Sequence, residues 1–303
     1  MSPSAAVIIN PHSGTSRGPE VARHRAALAA SVVSSYGCHP DIFVTERRGH
    51  ARELAAGALA RGATIVVAWG GDGTVNEVAS AVAFHDASLG VVPSGSGNGL
   101  ARELGLPAAP VAALTVAVTG PTRVIDCGEL DGRLFVNVAG VGLDASIAHR
   151  FAALGNRRGF RRYVEIGARE LLRFEADEYT IAADDRTIRA RALVVAIANA
   201  RQYGNGAVIA PFARLDDGRL DVVVVADRPV WRTLMHVPDL FRGRIDRVPG
   251  VTMTAASRIE IVSVRPALYH VDGEPFATGT SIRARAHAGA LRVRVPHEPR
   301  TES

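Results

Sequence analysis

Residues 64–69, TIVVAW, form an unbroken apolar run rich in β-branched side chains, and Gly70, Gly71 and Gly73 follow it at once. Continuous apolarity, rather than alternation, marks a strand covered on both faces, the condition of a parallel sheet. Parallel neighbours need crossovers, and helix-like stretches stand where crossovers belong. Residues 5–10, 41–45, 64–69 and 89–92 read as strands. Residues 19–34, 49–61, 75–84 and 98–104 read as helices, with Pro19 suited to a first turn and Gly105 and Pro107 closing the last. The alternation predicts a parallel α/β domain over about residues 1–125.

The texture then changes. Residues 134–138, 178–182, 192–198, 220–225, 258–264, 267–271, 281–286 and 291–295 are strand-like, several with period-two alternation, and one helical insertion covers about 145–174. This predicts a second, larger domain over 126–303, an antiparallel β-sandwich, with the last residues packing back on the first domain.

The charge is unusual in kind. The chain carries 35 cationic side chains against 30 acidic ones, a formal charge of +5, and every cation is arginine. The absence of lysine excludes Schiff-base chemistry and the phosphate-binding lysines of P-loop proteins and protein kinases. A phosphate site here must use backbone N–H groups, a metal or arginine. Gly70, Gly71 and Gly73, at a strand end and a helix start, let N–H groups approach an anion closely. The same stretch also fits a capping box, with Thr74 as cap and Glu77 reaching back. Two further loops, NPHSG at 10–14 and PSGSGNG at 93–99, follow strands as well. In a parallel sheet such loops share the rim where ligands bind.

The strings NPHSG, GGDGTVNEV and PSGSGNGLARELG, in that order, resemble the diacylglycerol kinase catalytic-domain family, which includes bacterial lipid kinases and the sphingosine and ceramide kinases. RVIDCG at 123–128, FVNVAGVGLDASIA at 135–148, PFARLDDGRLDV at 211–222 and HVDGEPF at 270–276 extend the resemblance over nearly the whole chain. It implies a Rossmann-like first domain of the NAD kinase/diacylglycerol kinase type and a β-rich, lipid-holding second domain. It implies ATP and Mg²⁺ as cofactors of a kinase acting on a diacylglycerol-like or sphingoid hydroxyl. Asn10, Pro11, His12, Ser13, Gly14, Thr45, Gly71, Asp72, Gly73, Thr74, Val75, Asn76, Glu77 and Ser96 match ATP-holding positions. Asp272 and Glu274 match the DGE motif whose carboxylates serve as general base. Asp72 and Asp126 match acids that order water and magnesium. Asp217, with carbonyls near Arg214 and Arg219, matches a structural magnesium site. Magnesium's preference for a few carboxylates plus retained waters suits this set. Asp272-Gly273 and Asp217-Gly218 also fit plain hairpin turns.

Where many bacterial members have Asn-Asp, this chain has Asn98-Gly99, closer to the GSGN of sphingosine and ceramide kinases, which leaves a catalytically weak relative as an alternative. An NAD kinase is the other alternative, disfavoured because no TGSTAY-like motif is present. Residues 140–145, GVGLDA, satisfy a dinucleotide fingerprint, but in the strand-rich half and without a βαβ unit. Arg157, Arg158, Phe160, Arg161, Arg162 and Tyr163 form a basic-aromatic cluster suited to anionic headgroups. The expected partner is therefore a lipid at an anionic membrane surface, not nucleic acid, with a homodimer left open. Two widely spaced cysteines, no signal-like start and no apolar run of spanning length predict a cytoplasmic protein, membrane-associated only peripherally.

Overall fold

The computed structural model describes residues 4–14, 18–153 and 160–297, with the side chains of 160–164 left aside. The chain divides into two compact units, one formed by residues up to Ile125 and from Gly289 onward, the other by Asp126–Ala288.

Unit 1 alternates as its sequence predicts: β1 Ser4–Ile9, α1 Pro19–Ser35, β2 His39–Val44, α2 His50–Ala60, β3 Ile65–Gly70, α3 Asp72–Val82, β4 Ser88–Pro93, α4 Gly99–Glu103 and α5 Pro110–Thr119. β1 pairs in parallel with β2 on one side and β3 on the other, and β3 pairs in parallel with β4. The sheet gains a strand from the far end of the chain: Arg292 and Val293 pair in parallel with Ser88 and Leu89. Odd-numbered strand residues Val7, Ile9, Val67 and Trp69 pack with Ala29, Val33, Leu114 and Ala117, so α1 and α5 cover one face. α2 and α3 pack on each other, α2 also against β1 and α3 against β3 and β4. Every residue of β3 is buried, as its unbroken apolar run requires. Sequence patterning missed α5, whose polar side is only Thr115 and Thr119.

Unit 2 is built on antiparallel pairings, and its last strand runs on past Gly289 into unit 1. Its elements are β5 Thr122–Leu130, which begins in unit 1, β6 Arg133–Phe135, β7 Val138–Gly142, α6 Leu143–Ala152, α7 Phe160–Arg173, β8 Asp177–Ala183, β9 Arg186–Ala198, β10 Leu220–Ala226, α8 Val230–Phe241, a 3₁₀ turn Ile245–Arg247, β11 Val251–Ala256, β12 Arg258–Ser263, β13 Leu268–Val271, β14 Glu274–Ala277 and β15 Ser281–Arg294. The thirteen-residue β9 organises it: its first half pairs with β8, and its second half lies between β7 and β10. Val195 and Ile197 face a core with Ile181, Val222, Ile259 and Ile282, while Ala196 and Ala198 face a second cluster with Ile209, Ala213 and Val223. The predicted strands 281–286 and 291–295 are one strand, β15, whose Arg283 and Arg285 pair with Glu260 and Glu129 at 3.0 and 2.9 Å. The predicted strand 134–138 divides between β6 and the first residue of β7, the predicted insertion is two helices, and β5, α8, β11 and β14 are additions. Arg157 and Arg158 of the basic-aromatic cluster, and the side chains of Phe160, Arg161, Arg162 and Tyr163, lie outside the described residues.

Candidate active site

The order β2-β1-β3-β4 places a topological switch between β1 and β3, because the chain leaves β1 in one direction and returns on its other side. Ligands of open α/β sheets bind at the carboxyl ends of strands beside such a switch. Here the three small-residue loops meet. Asn10 Nδ2 donates to Thr74 Oγ1 at 2.9 Å, Ser13 Oγ lies 2.7 Å from Ser94 Oγ, and the Ser94 N–H donates to the Gly70 carbonyl at 2.9 Å. Glycine is demanded where the loops touch: a Cβ on Gly95 would stand 2.7 Å from the Gly71 Cα.

Asp72 locks the second loop to the third. Its carboxylate accepts the N–H groups of Asn98 at 2.9 Å and Gly99 at 2.7 Å, while the Asn98 side chain exchanges two hydrogen bonds with Gly95. Burial pushes the Asp72 carboxyl above its ordinary range, and the Gly99 and Asn98 N–H groups pull it part of the way back. α3 begins at Asp72, so the N–H groups of Asp72, Gly73 and Thr74 belong to a first helical turn and have no partner within the helix ladder. Within this turn Asp72 keeps its own N–H on its carboxylate and Thr74 is buried, so exposed Gly73 is where the positive end of the helix dipole meets solvent.

Glu77 does not close a capping box. Its two oxygens accept the N–H groups of Gly49 and Ala51 at 2.9 and 3.0 Å, capping α2 across the interhelical contact. Thr74, Val75 and Asn76 are buried inside α3, Thr45 is buried after β2, and Ser96 is exposed at the tip of its loop. His12 is exposed, its N–H held by Asn10 Oδ1 at 2.9 Å. Sequence reasoning passed over Arg25. From α1 its guanidinium donates to the carbonyls of Asn10 and Ser13 at 2.8 and 2.9 Å and to Ser13 Oγ at 3.0 Å, and it lies 5.6 Å from the Trp69 ring centroid. Burial lowers its pKa. It braces the first loop from beneath.

In unit 2 the DGE stretch is a β13–β14 hairpin. Asp272 and Gly273 form its two-residue turn with φ of 47° and 80°, the left-handed pair that a type I′ turn needs. The hairpin reading and the functional reading therefore coexist. The Asp272 carboxylate accepts three backbone N–H groups, from Val136 at 3.0 Å, Asn137 at 2.9 Å and Val138 at 3.1 Å. Its donors fix the turn to the segment entering β7. Glu274, half-buried, opens β14 immediately beyond. Behind the hairpin lies a buried polar chain: Tyr203 Oη donates to Asp144 Oδ2 at 2.9 Å, His270 Nε2 lies 3.1 Å from the same oxygen, and the Gly273 N–H reaches His270 Nδ1 at 3.3 Å. With Nδ1 accepting, Nε2 carries the proton and donates to Asp144. The GVGLDA glycines serve this packing: a Cβ on Gly140 would stand 2.7 Å from Asp144 Oδ2, and both neighbours of β7 are antiparallel, so no dinucleotide-binding βαβ unit exists there.

Asp126 is buried, and its Oδ2 accepts the Gly218 N–H at 2.6 Å, which joins it to the LDDG loop. There Asp217 is exposed and accepts the Arg219 N–H at 3.1 Å, while Arg214 pairs with Asp216 at 3.7 Å. Burial and neighbouring Asp217 push the Asp221 carboxyl up to about 6. Among the described residues no three His, Cys, Asp or Glu side chains gather to hold a metal. Asp217 is the exposed carboxylate that a cation in this loop could take, and a cation there would relieve its repulsion with Asp221.

Residues 4–130 match the model of the diacylglycerol kinase catalytic domain, and residues 137–295 match that of the YegS C-terminal NAD kinase β-sandwich-like domain. The chain belongs to the diacylglycerol kinase catalytic-domain family. Among its relatives in that family, a protein of Pseudomonas aeruginosa named "Probable lipid kinase YegS-like" is 34% identical over 276 residues, covering 90% of this chain and 89% of its own. A Pseudomonas fluorescens protein of the same name is 31% identical over 292 residues, with 93% and 94% covered. A diacylglycerol kinase structure from Bacillus anthracis shares the fold at TM-score 0.74, 18% identity and 96% coverage of both chains. An NAD kinase from Archaeoglobus fulgidus, solved with ATP, shares it at TM-score 0.54 and 13% identity over 96% of this chain and 93% of that one.

Against the family pattern, the structure joins the three predicted loops of unit 1 into one rim and joins Asp126 to the LDDG loop in unit 2. Asp72, Glu77 and Asp272 spend their carboxylates on backbone N–H groups of neighbouring segments. Of the residues missed, Arg25 and Tyr203 lie in no string singled out from the sequence, while Asp144 and His270 lie within GVGLDA and HVDGEPF but were given no role there.

Proposed function

We propose that the chain is an ATP- and Mg²⁺-dependent lipid kinase that phosphorylates the hydroxyl of a diacylglycerol-like or sphingoid lipid at an anionic membrane surface. Family membership supports a lipid kinase; the observation that carries the donor half is the rim in unit 1, where three interlocked loops surround the exposed first turn of α3. Backbone N–H groups there suit the phosphates of ATP without any lysine. Magnesium, when bound, neutralises charge building on the phosphate oxygens.

The Asp72 carboxylate holds the Asn98 and Gly99 N–H groups together with its own, which ties the loop lock to the turn that would face the phosphates. Glu274 takes the proton of the acceptor hydroxyl as its oxygen bonds to the γ-phosphorus, the bond to the bridging oxygen breaks, and ADP leaves. Asp272 keeps Glu274 in place by holding the turn rather than by accepting that proton. Labelled ATP, Mg²⁺ and a mixed panel of diacylglycerols, sphingoid bases and ceramides test the reading. Label in a lipid supports it. Label in NAD, with none in lipid, overturns it in favour of an NAD kinase.

A further inference from the structure

Helix α8 wears its apolar face outward. At 3.6 residues per turn, Trp231, Leu234, Met235, Pro238 and Phe241 fall within an arc of about 120°. That arc faces solvent: Trp231 is 58% exposed and Met235 65%, and no residue of the helix is buried. The inward side carries half-buried Thr233, His236 and Asp239, with His236 Nδ1 2.9 Å from Asp239 Oδ2, and Leu240 touching the core. A surface helix of a water-soluble protein normally has the reverse arrangement. Contiguous exposed apolar side chains of this kind mark an interaction site.

The rim of the patch is cationic. Arg232 lies 5.0 Å from the Trp231 ring centroid, and exposed Arg242, Arg244 and Arg247 follow the helix end. Asp239 is turned inward against His236; of the acids flanking the helix in sequence, Asp227 pairs with Arg191 and Asp246 lies among the arginines that follow the helix. An apolar stripe ended by Trp and Phe and bordered by arginines matches the composition of helices that lie in the bilayer interface. Twelve residues span only about 18 Å, too short to cross the roughly 30 Å hydrocarbon core. A second copy fits poorly, because a two-fold contact across α8 would set these arginines against their own images.

We propose that α8 docks the chain on an anionic lipid bilayer, with Trp231, Leu234, Met235 and Phe241 in the boundary between headgroups and acyl chains and the arginines on lipid phosphates. The proposal rests on the lipid-kinase reading for why a bilayer is met, and on α8 itself for how.

The test uses the full chain and vesicles of phosphatidylcholine with or without phosphatidylglycerol. Of the two tryptophans Trp69 is buried, so a blue shift and quenching by brominated acyl chains report Trp231. The proposal expects both with phosphatidylglycerol vesicles, and their loss in Trp231→Phe. Leu234→Ser with Met235→Ser is expected to weaken vesicle binding roughly tenfold or more without moving the thermal midpoint, since both side chains are exposed. Phosphorylation of a bilayer acceptor then falls, while that of a short-chain, water-dispersed acceptor holds. Unchanged vesicle binding in the double variant overturns the proposal. So does sedimentation showing a dimer that the variant splits while vesicle binding persists. Vesicle binding with no phosphate transfer to either acceptor supports docking and removes the kinase reading instead.

Discussion

Replacing Asp272 by asparagine separates the two carboxylates of the DGE turn. Asparagine tolerates the left-handed φ of 47° and suits the first position of a type I′ turn, so the backbone is not disturbed. The amide oxygen can still accept from Asn137 and Val138, but the NH₂ group then faces the Val136 N–H, donor against donor. One charge-assisted bond is lost and two become neutral, which in a half-exposed turn costs about 2–3 kcal/mol. For a unit of this size that lowers the thermal midpoint by roughly 5–10 °C. Glu274→Gln, by contrast, leaves the midpoint within about 1–2 °C and lowers kcat by roughly 10²-fold or more, the ordinary worth of a general base. Calorimetry beside a lipid phosphorylation assay reads both. An Asp272→Asn variant with the wild-type midpoint and a kcat as low as that of Glu274→Gln would refute the division of roles and make Asp272 a proton acceptor.

Asp72→Asn is expected to raise the KM for ATP roughly tenfold, since one of the Asn98 and Gly99 N–H groups loses its charged acceptor and the loop lock loosens; steady-state kinetics check it. Arg25→Lys keeps the charge but not the fork that reaches Asn10 and Ser13, so KM for ATP rises several-fold with kcat nearly held, measured in the same assay. Burial, with Asp272 and Asp126 adding repulsion, pushes the Cys127 thiol from 9.0 up to about 12. Between those values the unfolded thiol ionises and the folded one does not, so this group withdraws stability as pH rises from about 9 to about 12 and is silent at neutral pH. In native protein at pH 8, Cys127 is therefore expected to resist a disulfide reagent until urea unfolds the chain; rapid native labelling, located by peptide mapping, would contradict that.

Legibility followed the range of the interactions. β3 and the three loops could be read locally, because a two-face-buried strand and close backbone approach each leave a mark within a few residues. α5 was missed because PVAALTVAVT has only Thr115 and Thr119 to mark a polar side, too weak a contrast from which to take a period. α8 was missed because Pro238 stands inside it, and a proline within a periodic stretch reads as the end of a helix rather than its interior. At the site, Glu77 pairs with residues 26 and 28 positions away, and Asp272 with residues more than 130 positions away. Motif spacing could name these acids but not show that backbone N–H groups already occupy them. Arg25 gave no sign, since a lone arginine on a helix looks like any solvated charge.

The strand that finishes unit 1 is β15, and its place in the chain sets an order of events during synthesis. Leu291 and Val293 are fully buried, and Arg292 and Val293 supply the parallel partner of β4. A nascent chain that has just released Ile125 therefore holds nearly all of unit 1 with one sheet edge bare. About 160 more residues must emerge before Gly289 arrives, roughly ten to thirty seconds at ribosomal speed. Through that interval the β4 edge is an open template for another strand, which makes the isolated first unit a poor candidate for separate expression and the last strand the step that ends its exposure.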